Sequence, residues 1–268
     1  KIYFLNWVFF LLKNKMIVKI IKCLKDNYSY LIIDEKLNTA CVVDPSESRP
    51  IINYLEDNQI NLKFILNTHH HYDHVGGNKE LKKKYNVKVV GYEDDKQRIP
   101  EIDIFLRDQE TWKSENFEAK IFHIPGHTLG HISFYFFNEK ILFTGDTLFS
   151  LGCGRIFEGT YEMMFKSLNI FKNFPPETKI YCGHEYTLQN SKFCIKYDKN
   201  NSNLKKKIES INDKLNKGLP TIPSTIKDEL ECNIFLRHEE KIIQKNLNLN
   251  NTDSLQTFSK LRDLKDNF

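Results

Sequence analysis

No two of the six cysteines stand in a C-x-x-C pair: Cys23, Cys41, Cys153, Cys182, Cys194 and Cys232 are scattered over 268 residues. A chain this long buries a core without staples, so reduced thiols and a reducing, cytoplasmic compartment are expected. A charge excess is also missing. The 39 Lys and Arg against 35 Asp and Glu leave only +4, with no long basic stretch interleaved with aromatics. That argues against a nucleic-acid partner and leaves small anionic substrates open. The apolar stretch 2–12 is interrupted by Asn6 and is too short to span a bilayer, and no small-residue cleavage site follows it. Residues 1–15 are therefore set apart as an extension, either non-native or a targeting remnant that would direct the chain to an organelle; no stable membrane association is expected. What the chain does have, 40% hydrophobic and 28% charged residues, excludes disorder and collagen-like repeats.

From residue 17 the pattern is of short apolar, β-branched runs broken by turns. Strands are predicted at 17–22, 28–33, 40–43, 64–66, 87–91, 111–117, 119–124, 132–137, 140–143 and 179–182, with helices at 49–58, 78–85 and 161–171. Beyond Tyr186 strand signals stop. Residues 191–197, 203–216, 225–230 and 254–268 read as helices rich in Lys and Asn, punctuated by Pro220 and Pro223. The expected division is an extension (1–15), a strand-rich domain (16–188) and a helical domain (189–268).

Histidine is scarce, nine residues in all, and four of the nine fall between positions 69 and 74. In Thr68-His69-His70-His71-Tyr72-Asp73-His74, imidazoles and a carboxylate crowd one tight loop after a strand. Polar groups packed this way are costly unless each has a partner, and a cation supplies one. Imidazole with carboxylate suits zinc, iron or manganese. His127, Asp146 and His184 share one grammar. Each follows a short apolar strand and a glycine, which turns the chain sharply at a strand end, where sites in such proteins are built. Five histidines and two aspartates exceed one tetrahedral site and suit two metals sharing a bridge.

The motifs T-H-x-H-x-D-H, Pro125-Gly126-His127-Thr128, Thr144-Gly145-Asp146-Thr147-Leu148-Phe149 and Cys182-Gly183-His184-Glu185-Tyr186 resemble, in this order, those of the metallo-β-lactamase superfamily. Within it the chain resembles the glyoxalase II family, the hydroxyacylglutathione hydrolases, over residues 17–268. Asp26-Asn27-Tyr28, Gly152-Cys153-Gly154-Arg155, Glu158-Gly159-Thr160, Thr187 and the closing residues 262–268 narrow the match.

The resemblance implies an α/β protein, a four-layer αββα sandwich followed by a C-terminal helical domain. It implies that His69, His71 and His127 hold one metal, that Asp73, His74 and His184 hold the other, and that Asp146 bridges them, with zinc the first choice and iron or manganese the alternatives. Asp73, His74 and Asp146 then stand at the catalytic centre. A metal-bridged hydroxide hydrolyses S-D-lactoylglutathione, or related S-2-hydroxyacylglutathiones, to D-lactate and glutathione, the second step of methylglyoxal detoxification. No protein nucleophile is needed, so Cys153 and Cys182 are read as structural.

By the same resemblance Arg155, Phe157, His184, Tyr186, Arg262 and Lys265 lie at the substrate, with Arg262 and Lys265, three apart, gripping glutathione carboxylates. Relatives often carry Lys at position 155. Phe157 stands where relatives can carry Tyr and so lacks one hydroxyl. His70 is expected to point away from the site, His131 to support it, and His123 and His238 to play no part. A monomer is expected. The alternatives are an iron-dependent persulfide dioxygenase of the same fold, a metal-dependent nuclease of the superfamily, and a non-catalytic scaffold. The full ligand set argues against the last, and the mild charge against the nuclease.

Overall fold

The computed structural model describes residues 16–249 and 253–268; the proposed extension 1–15 lies outside them. Two six-stranded sheets face each other. The first has the order β1 (Met16–Cys23), β2 (Asn27–Asp34), β3 (Thr39–Val43), β4 (Asn61–Leu66), β5 (Lys88–Tyr92) and β6 (Ile102–Leu106). Its first three strands pair antiparallel and the rest parallel. The parallel part is connected by α1 (Ser48–Asp57) and by α2 (Tyr72–Val75) with α3 (Asn78–Tyr85). The second sheet holds β7 (Thr111–Ser114), β8 (Phe117–His123), β9 (Ile132–Phe136), β10 (Ile141–Gly145), β13 (Lys179–Cys182) and β14 (Ser224–Thr225). A small hairpin of β11 (Leu148–Phe149) and β12 (Gly152–Cys153) stands apart.

Period-two alternation explains the layering. In β2, Tyr30 and Ile32 enter the core between the sheets with Phe117, Phe134, Phe136 and Phe143, while Leu31 and Ile33 face outward. There they meet Ile51 and Leu55 of α1 and Leu81 of α3. The outer face of the second sheet, with Leu142 and Ile180, packs on Met164, Leu168 and Phe171 of α4 (Tyr161–Phe171). The tail adds α5 (Thr187–Tyr197), α6 (Ser202–Asn216), α7 (Ile226–Cys232), α8 (Lys241–Asn246) and α9 (Ser254–Asp266) to that layer, through Phe193, Phe235 and Phe258. The result is the expected αββα sandwich with a helical tail. Sheets covered on both faces account for strands that read as unbroken apolar runs. Among the described residues no helix is long and apolar enough to cross a membrane.

Three local expectations are corrected. The run 111–117 is not one strand: β7 ends at Ser114, Glu115 takes a positive φ of 51°, and β8 begins at Phe117, forming a hairpin. β6 was not expected, because its edge position leaves Ile102 and Ile104 half-buried and Asp103 and Phe105 exposed, a weak apolar signal. Strands also do not stop at Tyr186: β14 pairs antiparallel with β13 and brings the tail into the second sheet.

Candidate metal centre

Strand ends deliver the candidate ligands to one edge of the sandwich. β4 runs into Asn67, Thr68 and His69; β8 leads through Pro125 and Gly126 to His127; β10 ends at Gly145 before Asp146; β13 leads through Gly183 to His184. At Gly145, φ is +46° and a Cβ would lie 2.5 Å from Thr68 Oγ1 and 2.6 Å from the His131 ring, so both conformation and space demand glycine.

The seven side chains converge as two triads around one carboxylate. Ligand atoms of His69, His71 and His127 lie within 4.8 Å of one another, as do those of Asp73, His74 and His184. Asp146 sits between the triads. Its Oδ2 is 3.6 Å from His127 Nε2 and 3.2 Å from His184 Nε2, and its Oδ1 is 3.5 Å from His74 Nε2.

The imidazoles are aimed from behind. His69 Nδ1 is 3.0 Å from Thr68 Oγ1, whose hydroxyl donates to Asp44 at 2.6 Å. His74 Nδ1 is 3.1 Å from Asp44, His127 Nδ1 is 2.8 Å from the carbonyl of Arg155, and His184 Nδ1 is 2.9 Å from Asp26. Each of these four rings therefore turns Nε2 toward Asp146 or its neighbours. His71 is the exception and presents Nδ1, 3.0 Å from His127 Nε2. Asp44 also groups with His69 and His74 as a possible donor set. Its oxygens already accept from Thr68 N, Thr68 Oγ1 and His74, so it orients ligands and does not join them.

Electrostatics favour the ligand forms of His69, His71 and Asp146, whereas at His74 and His184 burial is outweighed by Asp146, which raises both rings, so a cation would have to displace a proton there. Burial holds His69 well below the usual imidazole range and His71 at about 4. Burial opposes ionisation of Asp146, yet His184 and His74 hold it well below the carboxylate range. His69 Nε2, His74 Nε2 and Asp146 Oδ1 are buried without a hydrogen-bond partner. Orphaned atoms of this kind normally carry a cost, and a cation between them removes it, so the residues fit a metal pair.

A cavity of about 450 Å³ opens over the triads, with Phe149, Arg155, Phe157, Tyr186, Arg262 and Lys265 on its walls. Tyr186 stacks flat on His184 with centroids 4.8 Å apart, and the exposed Phe157 meets His71 and His127 edge-on. Arg155 is exposed, and Lys265 is half-buried over the Phe193 and Phe268 rings.

Arg262 lines the cavity and also has partners within the protein. It is only 3% exposed, donates to Cys153 O at 2.7 Å, and pairs with Asp266 at 2.8 Å. Those contacts give it a hold on the β12 backbone, whatever it contributes to a ligand. Cys153 and Cys182 are buried, and burial pushes both thiols up, so neither is a ready nucleophile.

The other histidines lie as their neighbours dictate. His131 stacks on His69 at 4.6 Å and accepts from Asp146 N at 3.0 Å, which makes it a support for the bridging aspartate. His70 turns aside to Asp95 at 3.2 Å and Glu158 at 3.4 Å, where Arg98 joins the same carboxylates. His123 stacks on Tyr92, and His238 is buried beside Lys172. Sequence reasoning missed Asp26, Asn27 and Asp44 as orienting groups. Asp26-Asn27-Tyr28 was noticed only as a family mark, and Asp44-Pro45 only as a turn.

With this geometry in hand, similarity to known proteins is specific. The family model described as "Metallo-beta-lactamase superfamily" matches residues 25–184, and that described as "Hydroxyacylglutathione hydrolase C-terminus" matches 185–268. A hydroxyacylglutathione hydrolase of Pelagibacter ubique is 66% identical over 253 residues, covering 94% of this chain and 100% of its own. One from Methylococcus capsulatus is 41% identical over 248 residues, covering 92% and 97%. Among solved structures, the BLEG-1 B3 metallo-beta-lactamase superposes with a TM-score of 0.65 at 21% identity, covering 82% of this chain and 99% of that one, a likeness of fold.

Proposed function

The chain belongs to the hydroxyacylglutathione hydrolases of the metallo-beta-lactamase superfamily, and we propose that its site cleaves S-D-lactoylglutathione and related S-2-hydroxyacylglutathiones with two bound divalent cations. The protein is an enzyme, a thioester hydrolase of the glyoxalase II type. The two-cation reading rests on one observation: the Asp146 carboxylate faces both triads, with His127 and His184 near one oxygen and His74 near the other.

His69, His71 and His127 would hold one cation, Asp73, His74 and His184 the second, and Asp146 both. Nitrogen and carboxylate donors without thiolate suit zinc first, and iron or manganese also. When bound, the pair would lower the pKa of a shared water toward neutrality and polarise the thioester carbonyl. Thr68, Asp44, Asp26 and the Arg155 carbonyl keep the imidazoles aimed, so little reorganisation accompanies the reaction. In the hydrolysis water adds OH to the acyl carbon, the C–S bond breaks, and the proton ends on sulfur or in solvent. The products are a 2-hydroxy acid and glutathione. No cysteine takes part, in keeping with the raised Cys153 and Cys182 thiols.

Glutathione brings two carboxylates and an amine. Arg155 and Lys265 offer charge at the cavity wall, Tyr186 offers a hydroxyl, and Phe157 an apolar edge over His71 and His127. Arg262, from the helical tail, backs the Cys153–Gly154 wall and reaches the same cavity. All seven candidate ligands come from one chain, so a monomer suffices for the chemistry. The deciding experiment is hydrolysis of S-D-lactoylglutathione with metal analysis of the same sample. Turnover with about two metals per chain is expected. No turnover by metal-loaded protein, or full turnover after chelation, overturns the reading.

A further inference from the structure

The β1–β2 turn and the first residue of β2 touch the Asp73–His74–His184 triad. Asn27 is 5% exposed, and its single amide nitrogen donates twice to Asp73, to the backbone carbonyl at 3.0 Å and to Oδ2 at 2.9 Å. The adjacent Asp26 accepts from His184 Nδ1 at 2.9 Å through its side chain and from Glu185 N at 2.9 Å through its backbone. Asn27 forms a bridge with His184, and Tyr28 N donates to Gly183 O at 2.8 Å. The turn thus joins the loop after β4, in the first sheet, to the end of β13, in the second. His69 and His127 are aimed by Thr68 and by the Arg155 carbonyl instead.

We propose that Asn27 and Asp26 are positioning residues for the Asp73–His74–His184 triad, and that they set its affinity for a divalent cation independently of the His69–His71–His127 triad. An aspartate with a free side chain samples several rotamers, and each must be given up when it becomes a ligand. Asn27 holds both the backbone and one carboxylate oxygen of Asp73, so that choice is made before the cation arrives. Asp26 holds the His184 ring with Nε2 toward Asp73 Oδ2, 3.4 Å away. Orienting partners of this kind are worth about 10–100-fold in metal affinity.

The inference rests on the two-cation reading, and one experiment separates the two. Full-length protein is stripped with a chelator and titrated with Zn²⁺ against a chromophoric competitor; Co²⁺ absorption spectra follow the same titration. Wild type is expected to show two binding steps. Asn27→Leu should weaken one step about 10–100-fold and leave the other unchanged. Asp26→Ala should do the same, while Asp26→Asn, which keeps an acceptor for His184, should stay near wild type. Far-UV circular dichroism checks folding. If Asn27→Leu does not fold, the partly exposed Asp26 and its two variants decide alone. Two wild-type steps in Asn27→Leu and Asp26→Ala, or equal weakening of both steps, overturn the proposal. A single step in wild type overturns the two-cation reading itself.

Discussion

Replacing Gly183 by alanine adds one methyl group at the end of β13, where the room is already taken. A Cβ there would lie 2.2 Å from Asp146 Oδ1 and 2.6 Å from His74 Cε1. Non-bonded heavy atoms settle at roughly 3.5 Å, so something must give by about 1 Å. The backbone is held on both sides, Gly183 N donating to Gly145 O at 2.9 Å and Gly183 O accepting from Tyr28 N at 2.8 Å. The carboxylate of Asp146 is the part that yields, and it faces both triads. Overpacking of this sort costs about 1–3 kcal/mol of stability. A reacting group misplaced by about 1 Å costs about 100-fold in rate, near 2.7 kcal/mol of barrier. Gly183→Ala should therefore lower kcat/KM for S-D-lactoylglutathione about 100-fold, mostly through kcat, with metal content below wild type. Gly218→Ala is the control. Its φ is +67° but nothing lies within 4 Å of the added atom, so it should cost about 1 kcal/mol of stability and no activity. A Gly183→Ala protein with wild-type kcat/KM and full metal content would refute the assigned position of Asp146.

Asp146→Ala should weaken both cation sites in a chelator titration and abolish most turnover, because the Asp146 carboxylate lies between the two triads; loss of one site only would contradict the bridge. Cys153→Ser and Cys182→Ser should keep most activity, and an acyl group trapped on either sulfur by mass spectrometry would refute hydrolysis without a protein nucleophile. Lys265→Met should raise KM with little change in kcat, whereas Arg262→Met should also lower the thermal midpoint by several degrees. Removing the buried guanidinium leaves the Cys153 carbonyl without its charged donor, worth about 1.5–3 kcal/mol, and each kcal/mol is about 2–4 °C in a chain of this size. An unchanged midpoint with a raised KM would make Arg262 a ligand contact only. Glu229 is buried, and burial raises its carboxyl to about 7, while Leu151 N, Ser224 and Asn233 donate to it. Its folded pKa thus lies above the unfolded one, so its contribution is greatest below about 4.3 and is lost as pH rises toward 7, on the order of 3 kcal/mol. Glu229→Gln should flatten denaturant-measured stability across that window, and an unchanged pH slope would disprove the assignment.

The ligand residues were legible because their chemistry is written locally: scarce histidines at close spacing, and glycine before His127, Asp146 and His184 at strand ends. The helix bounds 78–85 and 161–171 were legible because their apolar spacing meets clear breaks, including the Thr160 hydroxyl that accepts from Met163 N. What escaped is long-range. Asp26 and His184 stand 158 residues apart, Asp44 and His74 30 apart, and Asp95 meets His70 only through the folded loop. Nothing in the spacing of an isolated aspartate says which imidazole it will face. Arg262 shows the same limit from the other side: three-residue spacing with Lys265 gave a shared helical face, but only packing reveals that one of the pair is buried against Cys153. β14, two residues long, carries no pattern at all and exists because β13 offers it an edge.

Each turnover of a glutathione thioester frees a thiol within reach of a wall that includes Cys153. Exchange between that wall and the glutathione pool requires a thiolate as attacker, and the thiolate fraction falls tenfold for each unit by which a pKa rises. Burial keeps the Cys153 sulfur protonated even though Arg262 pulls the other way. Oxidised glutathione entering the cavity therefore meets a sulfur with little thiolate to open its disulfide. Burial at Cys153 thus works against a mixed disulfide with the product that would close the cavity behind it.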